Sequence, residues 1–157
     1  MIRKLIFVAA CLSSTAALSA PAGMFLRDAI KGDNSEIALG RLIAARGHSA
    51  QVRSFGNTLV SDHSMARGQV VALAREMGVR PPTGIMPEAR AERRKLERLH
   101  GRAFDFEVRR AMIMDHRKDV AKFEAQARTG ERRTARLARE QLPVLRKHLR
   151  IAESIRS

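Results

Sequence analysis

Beyond its amino-terminal segment the chain repeats apolar side chains at intervals of three and four, and no stretch alternates with period two for long enough to make a sheet. The spacing predicts helices over about 24–47, 50–77, 87–100, 102–128 and 132–155. The breaks between them carry their own chemistry. Gly47 ends the first helix and Ser49 is suited to cap the second, while "GVRPPTG" interrupts the chain with two prolines and two glycines. Pro87 suits a first helical turn, "TGER" turns the chain into the last helix, and Pro143 is expected to kink that helix. Four long helices, with short links within pairs and a longer crossover between pairs, predict an all-α fold: a ferritin-like four-helix bundle with a short extra crossover helix.

A helix in such a bundle needs an apolar stripe toward its neighbours. The first offers Phe25, Ala29, Gly32, Leu39 and Ile43, and the second Val52, Phe55, Leu59, Ala66, Val70, Leu73 and Met77. The fourth offers Phe104, Val108, Met112, Val120, Phe123 and Ala127, and the fifth Leu137, Val144, Ile151 and Ile155. The exceptions on these stripes are Glu36, His63, His116, His148 and the amide Gln141. Two of the histidines sit in repeated surroundings, "LVSDHS" (59–64) and "MIMDHR" (112–117).

Folding each helix pair back about its turn sets Glu36 opposite Val60, three residues from His63, and His148 opposite Met112, four from His116. At 1.5 Å per residue the offsets are about 5 to 6 Å, so one layer of the bundle is expected to collect three imidazoles and a carboxylate. Burying these groups without partners would cost several kcal/mol, so they must bond one another or hold something. Three imidazoles with one carboxylate suit a divalent first-row metal, Zn, Cu or Fe, with Mn and Ni also compatible. The expected ligands are Glu36, His63, His116 and His148. Asp62 and Asp115, each one residue off the stripe, are placed to accept an imidazole N–H or to add a ligand. The alternative is a closed polar layer that fixes helix pairing without metal. His48, in a turn, and His100, at a helix end, carry less weight. Glu97–His100 spells a single Glu-x-x-His, whereas a carboxylate-bridged di-iron site needs two.

The amino terminus has another character. Arg3 and Lys4 precede "LIFVAACL" and a small-residue tail, with no acid before Asp28, which predicts a signal peptide over 1–22 and a bundle domain over 23–157. The only cysteine, Cys11, lies in this segment, so the expected mature protein has neither disulfide nor thiolate ligand. Only six apolar residues precede Cys11, short for a lipid-anchored leader, so ordinary cleavage is expected over lipidation. No later stretch is apolar for long enough to cross a membrane. The export expectation is a periplasmic or secreted protein.

The formal charge is +14, and of 30 basic residues all but six lysines are arginine. Such a surface binds polyanions. The sequence has no Trp or Tyr to stack on bases, and an exported protein seldom meets DNA, so anionic envelope lipid or polymer is a better candidate partner than nucleic acid. The favoured alternative is that the arginine reflects genome composition and the charge keeps the protein soluble. Nothing in the sequence marks an open coordination position or a substrate path, so a binding role is expected over an enzymatic one.

Three stretches, 36–79, 99–130 and 137–154, together resemble the bacterial exported family called domain of unknown function 4142, a ferritin-like group. The shared pattern falls on Glu36, Asp62, His63, Gly101, Phe104, Asp105, Asp115, His116, Glu124, Leu142, Pro143 and His148. The resemblance implies the bundle fold, export and the importance of those polar positions, and it adds Glu124 to the carboxylates expected to support the site. Val108 departs from it, standing where the family tends to carry an aromatic.

Overall fold

A computed structural model describes residues 20–156. Most of the expected signal peptide, with Cys11, lies outside them. The chain folds as five helices: α1 (Ala20–Arg46), α2 (Ala50–Glu76), α3 (Pro87–Leu96), α4 (Gly101–Thr129) and α5 (Arg132–Ser154). The four long ones form two antiparallel hairpins, α1 with α2 and α4 with α5, and α3 lies on the crossover between them. This is the bundle expected from the apolar spacing. Among the described residues no helix is long and apolar enough to cross a membrane.

The turns follow from their residues. Ser49 caps α2, its hydroxyl accepting from Val52 N at 3.2 Å, and Glu131 caps α5, accepting from Arg133 N and Thr134 N. Asp105, 3 % exposed, accepts from His48 N at 2.8 Å and Ser49 N at 2.9 Å. It thereby fastens the α1–α2 turn to the start of α4. Arg46 reaches the same corner, donating to the carbonyls of Glu97 and Leu99 and lying 5.7 Å over the Phe104 ring. The crossover helix stops at Leu96, four residues before the expected end. Tight turns close onto Lys95 O and Leu96 O, and Gly101 begins α4 at φ +56°, a left-handed conformation that glycine takes without strain.

Within the first hairpin the helices approach closely at Gly40 and Gly56. A Cβ on Gly56 would stand 2.3 Å from Ala44 N, so only glycine fits there. That approach locks the register of α1 against α2. Two apolar cores result. One gathers Leu39, Ile43, Phe55, Leu59, Phe104 and Met112 near the α1–α2 turn, and the other gathers Phe25, Leu26, Ile30, Val70, Phe123 and Leu142 near the α4–α5 turn. Between them, on every long helix, a buried polar residue interrupts the apolar stripe.

Candidate metal centre

His63 of α2, His116 of α4 and His148 of α5 meet in this intermediate layer. His116 and His148 are 0 % exposed and His63 is 4 % exposed. One ligand nitrogen from each lies within 4.8 Å of the others. The rings pack at 5.0 to 6.0 Å between centroids, and Phe55 closes the site on one side, 6.3 Å from the His148 ring.

The hydrogen bonds at the outer nitrogens decide what faces inward. Nδ1 of His116 is 3.0 Å from the carbonyl oxygen of Met112, which can only accept, so this nitrogen carries the proton. Nε2 of His148 is 2.8 Å from Oδ2 of Asp62, to which Lys147 also donates. Partial burial pushes the Asp62 carboxyl up, but the hydrogen bonds from Lys147 and His148 outweigh it and hold the group below its ordinary value. Asp62 is therefore a carboxylate, and His148 donates to it through Nε2. Nδ1 of His63 is 2.9 Å from Oδ1 of Asp33. Donation there leaves His63 Nε2 buried and without a hydrogen-bond partner.

With His63 donating to Asp33, three lone pairs converge: Nε2 of His63, Nε2 of His116 and Nδ1 of His148. The last two stand 3.3 Å apart, where neutral rings would set lone pair against lone pair. A proton between them is disfavoured. Burial lowers the pKa of His63 to about 4, against the pull of Asp62 and Asp115. Burial, then the neighbouring His63 and His148, lowers His116 to about 3. Burial lowers His148 to about 4 despite its bond to Asp62. A metal ion between His116 and His148 satisfies the spacing of that pair. Two nitrogens at about 2.05 Å from a tetrahedral centre stand about 3.3 Å apart, and each metal-bound imidazole ordinarily donates its other N–H to a carboxylate or carbonyl, as all three do here.

Of the carboxylates expected to support the imidazoles, Asp62 does so and Asp115 and Glu124 do not. Asp62 serves His148 across the bundle, not its neighbour His63, because adjacent helical residues point about 100° apart. Asp33 takes the place beside His63 and was not anticipated. Its only signal in the sequence is its position three residues before Glu36. Asp115 lies within hydrogen-bonding reach of Glu36 and makes no hydrogen bond to an imidazole. Glu36 itself, 2 % exposed, lies outside the converging set of donors, and its Oε2 has no partner. Burial, then Asp115, Asp119 and Asp33, push the Glu36 carboxyl well above its ordinary value. Burial likewise raises Asp33, with Arg67 opposing. Asp119 is pushed up to about 7 by burial and by Asp115. Glu124 is on the surface, paired with Arg146 at 2.8 Å, and does not reach the imidazoles. Gln141 donates to Ala66 O at 3.3 Å and belongs to the wall of a neighbouring cavity.

Comparison with known proteins places the architecture. The crystal structure of a DUF305 fragment from Deinococcus radiodurans superposes with a TM-score of 0.75 over 86 % of this chain and 94 % of that one, at 22 % identity, which establishes a shared fold. No curated protein matches the chain. The model of one family, described as a domain of unknown function (DUF4142), matches residues 9–155. With nearly its whole length so matched, the chain belongs to the DUF4142 family.

Proposed function

We propose that this protein binds one divalent first-row metal ion, Zn, Cu or Fe, through Nε2 of His63, Nε2 of His116 and Nδ1 of His148. The carrying observation is the 3.3 Å separation of two inward lone pairs whose rings each donate outward. Asp33, the Met112 carbonyl and Asp62 orient the three rings. Bound metal would supply charge stabilisation to the layer and, with a fourth position left to an exogenous donor, a Lewis-acidic centre. We take the physiological role to be metal buffering or stress protection. The basic leader-like amino terminus supports export, which would set this role in the cell envelope or outside the cell.

A metal-free basic envelope protein, with the polar layer serving only to align helices, is less well supported. A closed layer needs a partner for each buried polar atom, and His63 Nε2, Asp33 Oδ2 and Glu36 Oε2 have none. The test is elemental mass spectrometry on untagged protein purified without chelator, beside a His63→Ala variant. About one ion per chain, lost in a variant that still folds, is the expected result. A folded wild-type chain that stays metal-free and refuses added Zn, Cu and Fe would overturn the proposal.

A further inference from the structure

The two hairpins do not close tightly everywhere. Two cavities, about 140 Å³ and about 430 Å³, border the space between α1 and α4. Four wall residues are common to both: Asp28 and Gly32 of α1, and Asp119 and Lys122 of α4. The smaller cavity reaches His63 and Asp33, and the larger reaches Glu36 and Asp115. Space at the junction is real, since a Cβ built on Gly32 meets nothing within 4 Å.

The walls are acidic where they run inward. Asp28, about two-fifths exposed, stands at the mouth with Lys122 at 3.2 Å. Deeper in come Asp119, Asp115, Glu36 and Asp33. Glu36 and Asp33 are 2 % and 6 % exposed, line the larger and the smaller cavity respectively, and each keeps one oxygen without a hydrogen-bond partner. After burial itself, the groups that raise Glu36 most are other carboxyls, Asp115, Asp119 and Asp33. Unpartnered buried oxygens facing an open space fit a transient ligand that is cationic, strips readily of water and moves on to softer nitrogen donors.

Resting on the three-imidazole reading, we propose that this fissure is the entry path for the divalent cation, which passes from Asp28 at the mouth, by way of Asp119, to the histidines. The path is distinct from the site. It sets rates of arrival and departure together and leaves the equilibrium affinity in place, because the bound state is the same by whichever route it forms.

The test uses Co²⁺ alone, whose visible absorption in a four-coordinate site of three imidazoles and one exogenous donor reports binding, mixed in stopped flow with the metal-free full chain. Gly32→Leu fills the fissure without changing charge and improves helix propensity. It is expected to slow association and dissociation alike by roughly tenfold or more with the final amplitude kept, whereas Gly68→Leu, at an exposed position where an added Cβ meets nothing, leaves the rates alone. Asp119→Asn is expected to slow association several-fold and to weaken its dependence on salt. Unchanged rates in both fissure variants, or a lost amplitude in both, would overturn the path and leave the metal site standing. A folded wild-type chain that takes up no Co²⁺, with His116→Ala behaving identically, would overturn the metal reading and the path with it.

Discussion

Above and below the histidine layer the bundle is held by interlocking apolar side chains, Phe55, Leu59 and Phe104 on one side and Leu26, Ile30 and Val70 on the other, all 0–1 % exposed. In the layer itself, side chains equally removed from water are titratable and incompletely paired. Burial stabilises the first kind of region in proportion to the apolar area removed from water, and it penalises the second. A chain that surrounds a costly layer with two good cores can hold chemistry in a fixed geometry, because the cores supply the folding energy that the layer lacks. The comparison makes one kind of substitution a stability experiment and the other a binding experiment.

Phe104→Ala, in the turn-proximal core, should cost roughly 3–5 kcal/mol in denaturant unfolding and leave metal stoichiometry intact wherever the chain is folded. His116→Leu should do the reverse. It should abolish metal binding, by calorimetry or elemental analysis, yet change the stability of the metal-free chain by about 1 kcal/mol or less, since it removes a lone pair that faces another. A loss as large as that of Phe104→Ala, with metal binding retained, would turn the layer into a structural one. Between these lies Asp33→Asn, expected to weaken metal affinity roughly 10- to 100-fold through His63 with stability little changed.

The layer should also respond to pH in a way the cores cannot. Exposed imidazoles of pKa 6.5 would each be about nine-tenths protonated at pH 5.5, and three of them would forfeit roughly a thousandfold in metal affinity. Here the rings lie at about 4, 3 and 4, so affinity should hold nearly flat from pH 7 to 5.5 and fall only as the pH approaches 4. A steep loss beginning near 6.5 would mean that the nitrogens binding metal are not these buried ones. A pH response of the metal-free chain is expected at Asp119, whose pKa of about 7 lies above its unfolded value of 3.8. A raised pKa stabilises below the unfolded value and is lost as the pH rises through the folded one. Asp119→Asn, which keeps the uncharged form, should therefore raise metal-free stability at pH 8, by up to about 4 kcal/mol for the full shift, and by little near pH 4, read from thermal unfolding.

Legibility in the sequence divided along the same line. The apolar stripes, the glycine and proline breaks and the Ser49 cap are local, so the five helices and their pairing could be read with end errors of a few residues. The four-residue error at Glu97–His100 arose because the charged sequence continues a helical pattern while Gly101 starts a new helix from a left-handed turn. The three histidines were legible because each breaks an apolar stripe at a height that hairpin folding makes common. Their partners were not. Spacing offers Asp62 as an acceptor for an imidazole N–H without saying which ring, and Asp33, in the polar run "KGDNSE", stands out in no pattern.

By itself the sequence determined that four amphipathic helices would bundle and that three imidazoles would be buried near one level, since periodicity and turn chemistry are properties of short stretches. Only the tertiary structure decided which carboxyl orients which ring and that Glu36 turns toward Asp115. It alone decided that the hairpins leave an acidic gap at Gly32. Each of these depends on the rotation of one helix against another, set by contacts as remote from the site as Gly40 on Gly56, and a rotation common to a whole helix leaves no mark on its sequence period.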